Sequence, residues 1–251
     1  MDKLIYTVMT GATGTLSRQA AVSHNLANVT TQGYRAEEHR LRAAQVLTHN
    51  TTPSALPTRA FAVDASTHTD FSEGALNYTG GSYDVAVRGK GWIALALPDG
   101  TEAYTRAGSF ETSENGVLQT KNGIPVQGDG GPISIPPDSR VAIETDGTVS
   151  VVPQTGAQNT VNAVGRLKLV NPPEADLVRG PDGLFRMKSG DAAPLDENVK
   201  IASGYLENSN VNPVEQMVAM ISLARQFEMQ MRMITTAETN DRAATQVLAP
   251  R

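Results

Sequence analysis

Near the start of the chain, apolar and small residues recur at steps of three and four from Leu4 to about Asn28. This spacing predicts an amphipathic helix, because 3.6 residues per turn bring such positions to one face. Gly11 and Gly14 weaken the helix by about 1 kcal/mol each relative to alanine, so we expect it to depend on packing. Its predicted contact face consists of Leu4, Ile5, Val8, Leu16, Val22 and Leu26.

A second helix is predicted from Pro213 to Leu248. Asn212 offers a polar cap, and proline suits the first helical position because the N–H that it lacks has no partner there. At 1.5 Å per residue the helix is about 54 Å long. Alternating steps of three and four are typical of a coiled coil, although they also fit the core of a monomeric helix pair. The predicted contact face consists of Met217, Met220, Phe227, Met231 and Ile234.

The middle of the chain has no helical period and is rich in Asp-Gly and Asn-Gly pairs, which favour tight hairpin turns. Strand-like runs lie between these pairs, at 83–87, 92–97, 133–135, 141–143, 148–152 and 164–170. The short connections favour antiparallel pairing. We interpret residues 44–60 as an irregular connector and residues 152–161 as an exposed loop.

These patterns predict an α+β protein. Long N- and C-terminal helices pair as a coiled coil, and a central antiparallel domain is β-rich. The predicted divisions are residues 1–36 for the first helix and its exit segment, 37–208 for the β-rich domain and 209–251 for the second helix. The two terminal segments together form a helical assembly domain.

Composition narrows the classes of partner. The chain has 251 residues, a net charge of −5 and no cysteine. No apolar run approaches the roughly 18 residues of a membrane span, and the apolar patch after Met1 is too short for a signal-peptide core. Basic and acidic residues are interspersed, so nucleic acid is not an expected partner. We expect a protein that is not integral to a membrane and carries no cleavable signal.

Candidate chemistry is sparse. The histidines at 24, 39, 49 and 68 show no metal-ligand spacing, and the glycine clusters around Lys90 and Asp129 lead into no phosphate-binding helix. The Asp-Gly pairs lack the spaced acidic ligands of a calcium loop. We therefore expect no enzyme, no catalytic residue, no cofactor and no metal, and a function that depends on surfaces.

Two segments resemble known signatures. Residues His24 to Arg35, HNLANVTTQGYR, resemble the N-terminal signature of bacterial flagellar rod and hook proteins. Residues Asn208 to Glu215, with Arg225 to Glu228 further on, resemble the C-terminal signature. Runs at 84–87, 91–92 and 103–110 agree with the middle of the family, so the resemblance covers nearly the whole chain. The family-motif residues are Asn25, Leu26, Ala27, Asn28, Gly33, Tyr34, Asn210, Asn212 and Pro213.

The chain length, the opening MDKLIY and residues 165–172 are most similar to the proximal-rod subgroup of this family. The distal-rod subgroup is the nearest alternative, because it shares both signatures. Hook proteins generally carry an inserted domain that this length does not accommodate. His24 replaces the first asparagine of the usual pair, and residues 224–227 differ from the commoner Gln-Arg-Ala-Tyr. Both departures bear on the subgroup rather than on the family.

The resemblance implies a structural subunit that polymerises through its terminal helices with copies of itself and with other flagellar rod proteins. It also implies export through the flagellar type III apparatus without a cleavable signal peptide. The expected location is the periplasm-spanning rod of the basal body, with the β-rich domain facing outward, towards peptidoglycan or a bushing. The competing hypothesis is a cell-wall-binding module that its helices dimerise.

Overall fold

The computed structural model describes residues 2–45, 60–153 and 161–248, without the side chains of residues 2–4, 247 and 248. The chain forms two compact units. The helical unit comprises Met1–Val29, Ala36–Asp70 and Val211–Arg251, and the β-rich body comprises Thr30–Arg35 and Phe71–Asn210. These boundaries differ from the predicted ones. Residues 36–70 group with the helices, and residues 30–35 group with the body.

Two helices and a hairpin build the helical unit. Helix α1 spans Asp2–Ala27 and α2 spans Pro213–Leu248, while strands β1 (Glu37–Gln45) and β2 (Ala60–Thr69) pair antiparallel. Helices α1 and α2 lie against each other and run antiparallel, since Thr15 contacts Gln230 whereas Asn25 lies near Gln216. Both strands of the hairpin also pack on α1. Neither described helix is apolar enough over a sufficient length to cross a membrane.

The hairpin was not expected from the sequence. The predicted connector at 44–60 begins within β1 and ends at the first residue of β2, and residues 46–59 lie outside the described residues. Strand β1 carries four charged side chains in its sequence EEHRLRAAQ. It therefore lacks the alternation of apolar and polar residues by which a strand is predicted from sequence. Similarly, the predicted loop at 152–161 begins within a strand, and residues 154–160 are outside the description.

The body is built from short strands. In chain order they are β3 (Leu76–Tyr78), β4 (Val85–Arg88), β5 (Trp92–Ala96), β6 (Glu102–Thr105), β7 (Phe110–Thr112), β8 (Leu118–Thr120), β9 (Gln127–Gly128), β10 (Gly131–Pro132), β11 (Ser139–Ile143), β12 (Thr148–Pro153), β13 (Asn162–Arg166), β14 (Leu169–Val170), β15 (Leu177–Arg179), β16 (Phe185–Met187), β17 (Lys200–Ser203) and β18 (Tyr205–Glu207). A 3₁₀ turn, Glu174–Asp176, precedes β15.

A five-stranded sheet in the order β14-β5-β6-β16-β15 and a three-stranded sheet β11-β12-β13 form the larger layers of the body. Strand pairs β4–β17, β3–β18, β7–β8 and β9–β10 complete it. Every described pair is antiparallel, as the short connections predicted. The run at 133–135 forms only an isolated bridge, through Ser134 to Val117, although Ile133 and Ile135 are buried.

The hydrophobic core lies within the body. Successive residues of β5 point to opposite faces of its sheet, so Ile93 and Leu95 join one apolar cluster while Trp92 and Ala94 join another. Neither cluster contains a described residue of the helical unit. The helical unit is therefore much leaner in buried apolar side chains than the body.

The α+β class is correct, but the predicted coiled coil is wrong. Leu16, Met217 and Met231, three of the residues predicted to form its seam, are exposed. The described helix positions that are fully buried are small or polar: Ala12, Gly14, Thr15, Asn25 and Ala237. Knobs-into-holes packing requires large apolar side chains in the seam, which this contact does not provide.

Candidate assembly surface

The contact between α1 and α2 is built on small and polar side chains. Thr15, which is buried, donates a hydrogen bond from Oγ1 to Oε1 of Gln230 over 3.1 Å, and the same hydroxyl lies 3.0 Å from the carbonyl oxygen of Gly11. One turn earlier on α1, Ala12 is also buried. Such residues allow two helices to approach closely but bury little apolar area.

A second side of α1 faces the hairpin. A Cβ atom on Gly14 would lie 2.6 Å from Cδ1 of Leu41 in β1, so glycine permits this approach. Near the other end of α1, the buried Asn25 side chain binds the main chain of Glu37. Its Nδ2 donates to the Glu37 carbonyl and its Oδ1 accepts from the Glu37 N–H, each over 2.9 Å. These contacts explain why the hairpin groups with the helices.

The third side of α1 carries an exposed apolar stripe. Tyr6, Met9 and Leu16 are all about half exposed or more, and Thr13 lies between them. The positions 6, 9, 13 and 16 follow steps of three, four and three, so they share one helix face. Of the residues predicted to form the contact face of α1, this exposed face includes Leu16.

Helix α2 likewise exposes an apolar face over its first two turns. Val214, Met217, Val218 and Ile221 are between 52% and 68% exposed. Their spacing of i, i+3, i+4 and i+7 places them together, on the side of the helix opposite the half-buried Leu223. Exposed side chains of this size, gathered in one patch, usually indicate an interaction surface.

The predicted assembly residues divide between these surfaces. Ile5, Val8, Val22, Leu26, Met220, Phe227 and Ile234 are half-buried, whereas Leu16, Met217 and Met231 are exposed. The side chain of Leu4 lies outside the described residues. Val22 of α1 lines one groove together with Ala219 and Leu223 of α2, so these elements do meet. Their part in assembly remains a prediction.

The signature segment after α1 enters the body at Gly33. Its N–H donates to the carbonyl oxygen of Glu207 over 2.8 Å, and its φ is +66°, as expected for a turn that requires glycine. A Cβ atom here would lie 2.4 Å from the backbone of both Arg106 and Ala107. Tyr34, the next residue, is buried, and the guanidinium of Arg179 lies 4.4 Å from the centre of its ring.

Beneath this turn, one buried carboxylate joins two buried arginines. Glu207 lies 2.6 Å from Nη2 of Arg35 and 3.1 Å from Nη1 of Arg106. The N–H of Gly74 donates to the same carboxylate over 2.9 Å. Burial lowers the pKa of Arg106 below its ordinary value, and the attraction of Glu207 opposes this shift. Arg35 and Glu207 tie the two signature segments into the same part of the body.

The sequence did not reveal this cluster. The spacing of Arg35, Arg106 and Glu207 along the chain shows no pattern. The one available signal is position, because Arg35 and Arg106 lie in segments that resemble the family and Glu207 directly precedes a third.

The remaining signature residues cap helices or fix loops. Asn28 donates from Nδ2 to the carbonyl oxygen of His24 over 2.9 Å at the end of α1. Oδ1 of Asn212 accepts from the N–H of Val214 over 3.1 Å, so Asn212 caps α2 directly before Pro213. Asn210 donates to the carbonyl oxygen of Ser72 over 3.2 Å. Leu26 is half-buried and Ala27 is exposed on the last turn of α1.

In the part of the chain that the structure describes, no group of three or more acidic or histidine side chains could hold a metal ion. The candidate assembly surface is a set of helix faces, and the signature turn at Gly33 belongs to the body.

Comparisons with known proteins give consistent matches. Residues 202–247 match the family model described as flagellar basal body rod FlgEFG protein C-terminal, and residues 86–151 match the flagellar hook protein FlgE/F/G D1 domain. The flagellar basal-body rod protein FlgF of Salmonella typhimurium is 42% identical over 255 residues, covering 99% of each chain. FlgF of Escherichia coli is 40% identical over 255 residues with the same coverage. The rod protein FlgG of Buchnera aphidicola is 33% identical over 235 residues, covering 86% of this chain and 88% of that one.

Proposed function

The chain belongs to the flagellar basal-body rod protein family, and we propose that it is a FlgF-like structural subunit of the proximal rod. It polymerises through its terminal helices into the axial shaft that transmits torque. The FlgF relatives are more similar to it than the FlgG relative, which favours the proximal over the distal type. Proteins of this family are structural, and we propose that this chain acts without catalysis or a cofactor.

The observation that carries this proposal is the apolar surface that the helices leave exposed. Side chains such as Met9 on α1 and Ile221 on α2 are more than half exposed, and neither belongs to the contact between the helices. Burying a side chain of this size contributes about 1.5–3 kcal/mol. Neighbouring subunits that cover both faces recover this free energy, and a rod provides such neighbours.

A polymer of this kind needs contacts that do not close on themselves. A heterologous contact joins two different surfaces of identical subunits and generates a helix when its rotation does not close a ring. Methionines such as Met217 and Met231 lie exposed on α2, and flexible thioether side chains adapt to differing neighbours. We therefore propose that the partners are copies of this chain and the other rod proteins adjoining them.

Export and location follow as further parts of the proposal. We propose that the subunit passes through the flagellar type III apparatus without a cleavable signal peptide. Within the basal body it occupies the part of the rod that spans the periplasm. The β-rich body is then the part available to meet peptidoglycan or a bushing.

The test is complementation in the source bacterium after deletion of the gene for this chain. We expect loss of swimming, and restoration by the unaltered gene. The variant Ile221→Asp places a charge on the exposed apolar face of α2 without touching the body. We expect it to reduce swimming at least tenfold and to be absent from purified basal bodies in immunoblots, because a buried unpaired carboxylate opposes docking.

The matched control is Ser222→Asp, because Ser222 is exposed on the same turn of α2 but lies off the apolar face. This variant should swim normally and co-purify with basal bodies. Normal swimming of the deletion strain would contradict the proposed function. Equal behaviour of the two aspartate variants would contradict the role assigned to the apolar face.

A further inference from the structure

The exposed stripe of α1 forms one wall of an apolar groove. The groove has a volume of about 560 Å³ and runs between α1 and the hairpin. Tyr6, Met9 and Thr13 line it from α1, and Leu41 and Phe61 line it from β1 and β2. From Tyr6 to Ser17, its last lining residue on α1, the groove extends about 16 Å along the helix. This length accommodates two to three turns of a docked helix.

The exposed face of α2 has the form that such a groove accepts. An amphipathic helix binds in an apolar groove through anchors at i, i+3, i+4 and i+7, which is the spacing of Val214, Met217, Val218 and Ile221. No residue between Lys3 and Arg18 is charged, and none between Glu215 and Arg225 is charged. The hairpin wall of the groove carries a carboxylate, Asp64, whose Oδ1 lies 3.2 Å from Nε2 of His39. The two surfaces can therefore meet without burying a charge that lacks a polar partner.

An α2 face that occupies this groove has to come from another copy. In the antiparallel pair, Oε1 of Gln216 lies 3.5 Å from Nδ2 of Asn25, at the far end of α1 from Met9. Residues 9 and 25 are separated by about 24 Å along α1. In addition, the exposed face of α2 is turned away from α1. A single chain cannot bring Met217 to its own groove.

We propose that the face Val214–Ile221 of each subunit docks in the groove between α1 and the β1–β2 hairpin of the next copy. The contact is heterologous, because it joins two different surfaces, and it repeats from copy to copy. This inference rests on the proposed rod function and adds the two surfaces that meet.

Introduced cysteines test the contact directly, because the chain contains none of its own. The double variant Met9→Cys/Met217→Cys is expressed as the only copy, basal bodies are purified, and mild oxidation is followed by non-reducing electrophoresis. We expect a ladder of disulfide-linked dimers and higher species in most of the incorporated subunit, whereas each single variant stays monomeric. The pair Met9→Cys/Ser222→Cys, with the second cysteine off the face, should give less than about one tenth of the ladder.

A second pair, Thr13→Cys/Val218→Cys, samples neighbouring positions of the same two surfaces and should also form a ladder. Incorporation of both double variants without a ladder would overturn the inference while leaving the rod function intact. Dimers from Met217→Cys alone would also overturn it, because they indicate a symmetric contact. Absence of the unaltered chain from basal bodies would instead contradict the proposed rod function.

Discussion

Small and polar residues make close contacts in both units. Gly14 leaves room for Leu41, Asn25 binds the main chain of Glu37, and Gly33 passes within 2.4 Å of neighbouring backbone atoms. In each case a contact with a part of the chain that is distant in sequence requires this type of residue. Asn25 and Gly33 belong to the first signature, which thus anchors the chain within each unit.

Gly33 gives a test at this scale. Alanine at a positive φ lowers the free energy of unfolding by about 1–2 kcal/mol. At Gly33, which has a positive φ, the added Cβ would also clash with backbone atoms of Arg106 and Ala107. We expect Gly33→Ala to lower the free energy of unfolding of the body by more than about 3 kcal/mol. Urea denaturation followed by the fluorescence of Trp92, the one tryptophan and a buried residue of the body, measures this.

The matched control is Gly123→Ala. Gly123 has a φ of +77°, but nothing lies within 4 Å of its added Cβ. This variant should lower the free energy of unfolding by only about 1–2 kcal/mol, which is the cost of alanine at a positive φ. Equal losses at the two positions would mean that the close approach of Gly33 to Arg106 contributes nothing.

Residue-level prediction from the sequence succeeded where the cause is local. The cap at Asn212 depends on neighbouring residues alone, and it was predicted. The Arg35–Glu207–Arg106 cluster was missed, because it joins residues more than 70 positions apart that only the fold brings together. A buried charge cluster of this kind has no sequence period.

At the scale of elements, both helices and the antiparallel nature of the β-rich part were predictable from periodicity and turn dipeptides. The hairpin was missed, because its strands are half exposed and carry charged residues that mask their alternation. The coiled coil was predicted wrongly for a related reason. A period of three and four shows that a helix has an apolar face, but it does not identify what covers that face.

The sparse packing of the helices leads to a prediction for the free subunit. Neither apolar core cluster includes a described helix residue, and most of the stability of helices in proteins comes from tertiary packing. We expect amide hydrogens of α1 and α2 to exchange at least about tenfold faster than those of β5 and β6 in the purified subunit. Hydrogen exchange with mass spectrometry measures this, and assembled basal bodies serve as the comparison, in which the helices should become protected. Equal protection of helices and strands in the free subunit would contradict this expectation.

In the molecule as a whole, the two units differ in what their side chains do. The body holds the apolar core and the buried ion pairs. The helical unit presents apolar faces that the single chain leaves exposed. Family membership was evident from the two signatures, whereas the surfaces that meet in the polymer required the structure, since they depend on which helix faces remain uncovered.

Imaging of purified basal bodies at side-chain resolution tests the central claim most directly, namely that the subunit assembles into the rod through its uncovered helix faces. The account predicts density for this chain in the rod, with Val214, Met217 and Ile221 covered by a neighbouring subunit. Density in which these side chains face solvent, while the β-rich bodies alone make the contacts between subunits, would contradict it.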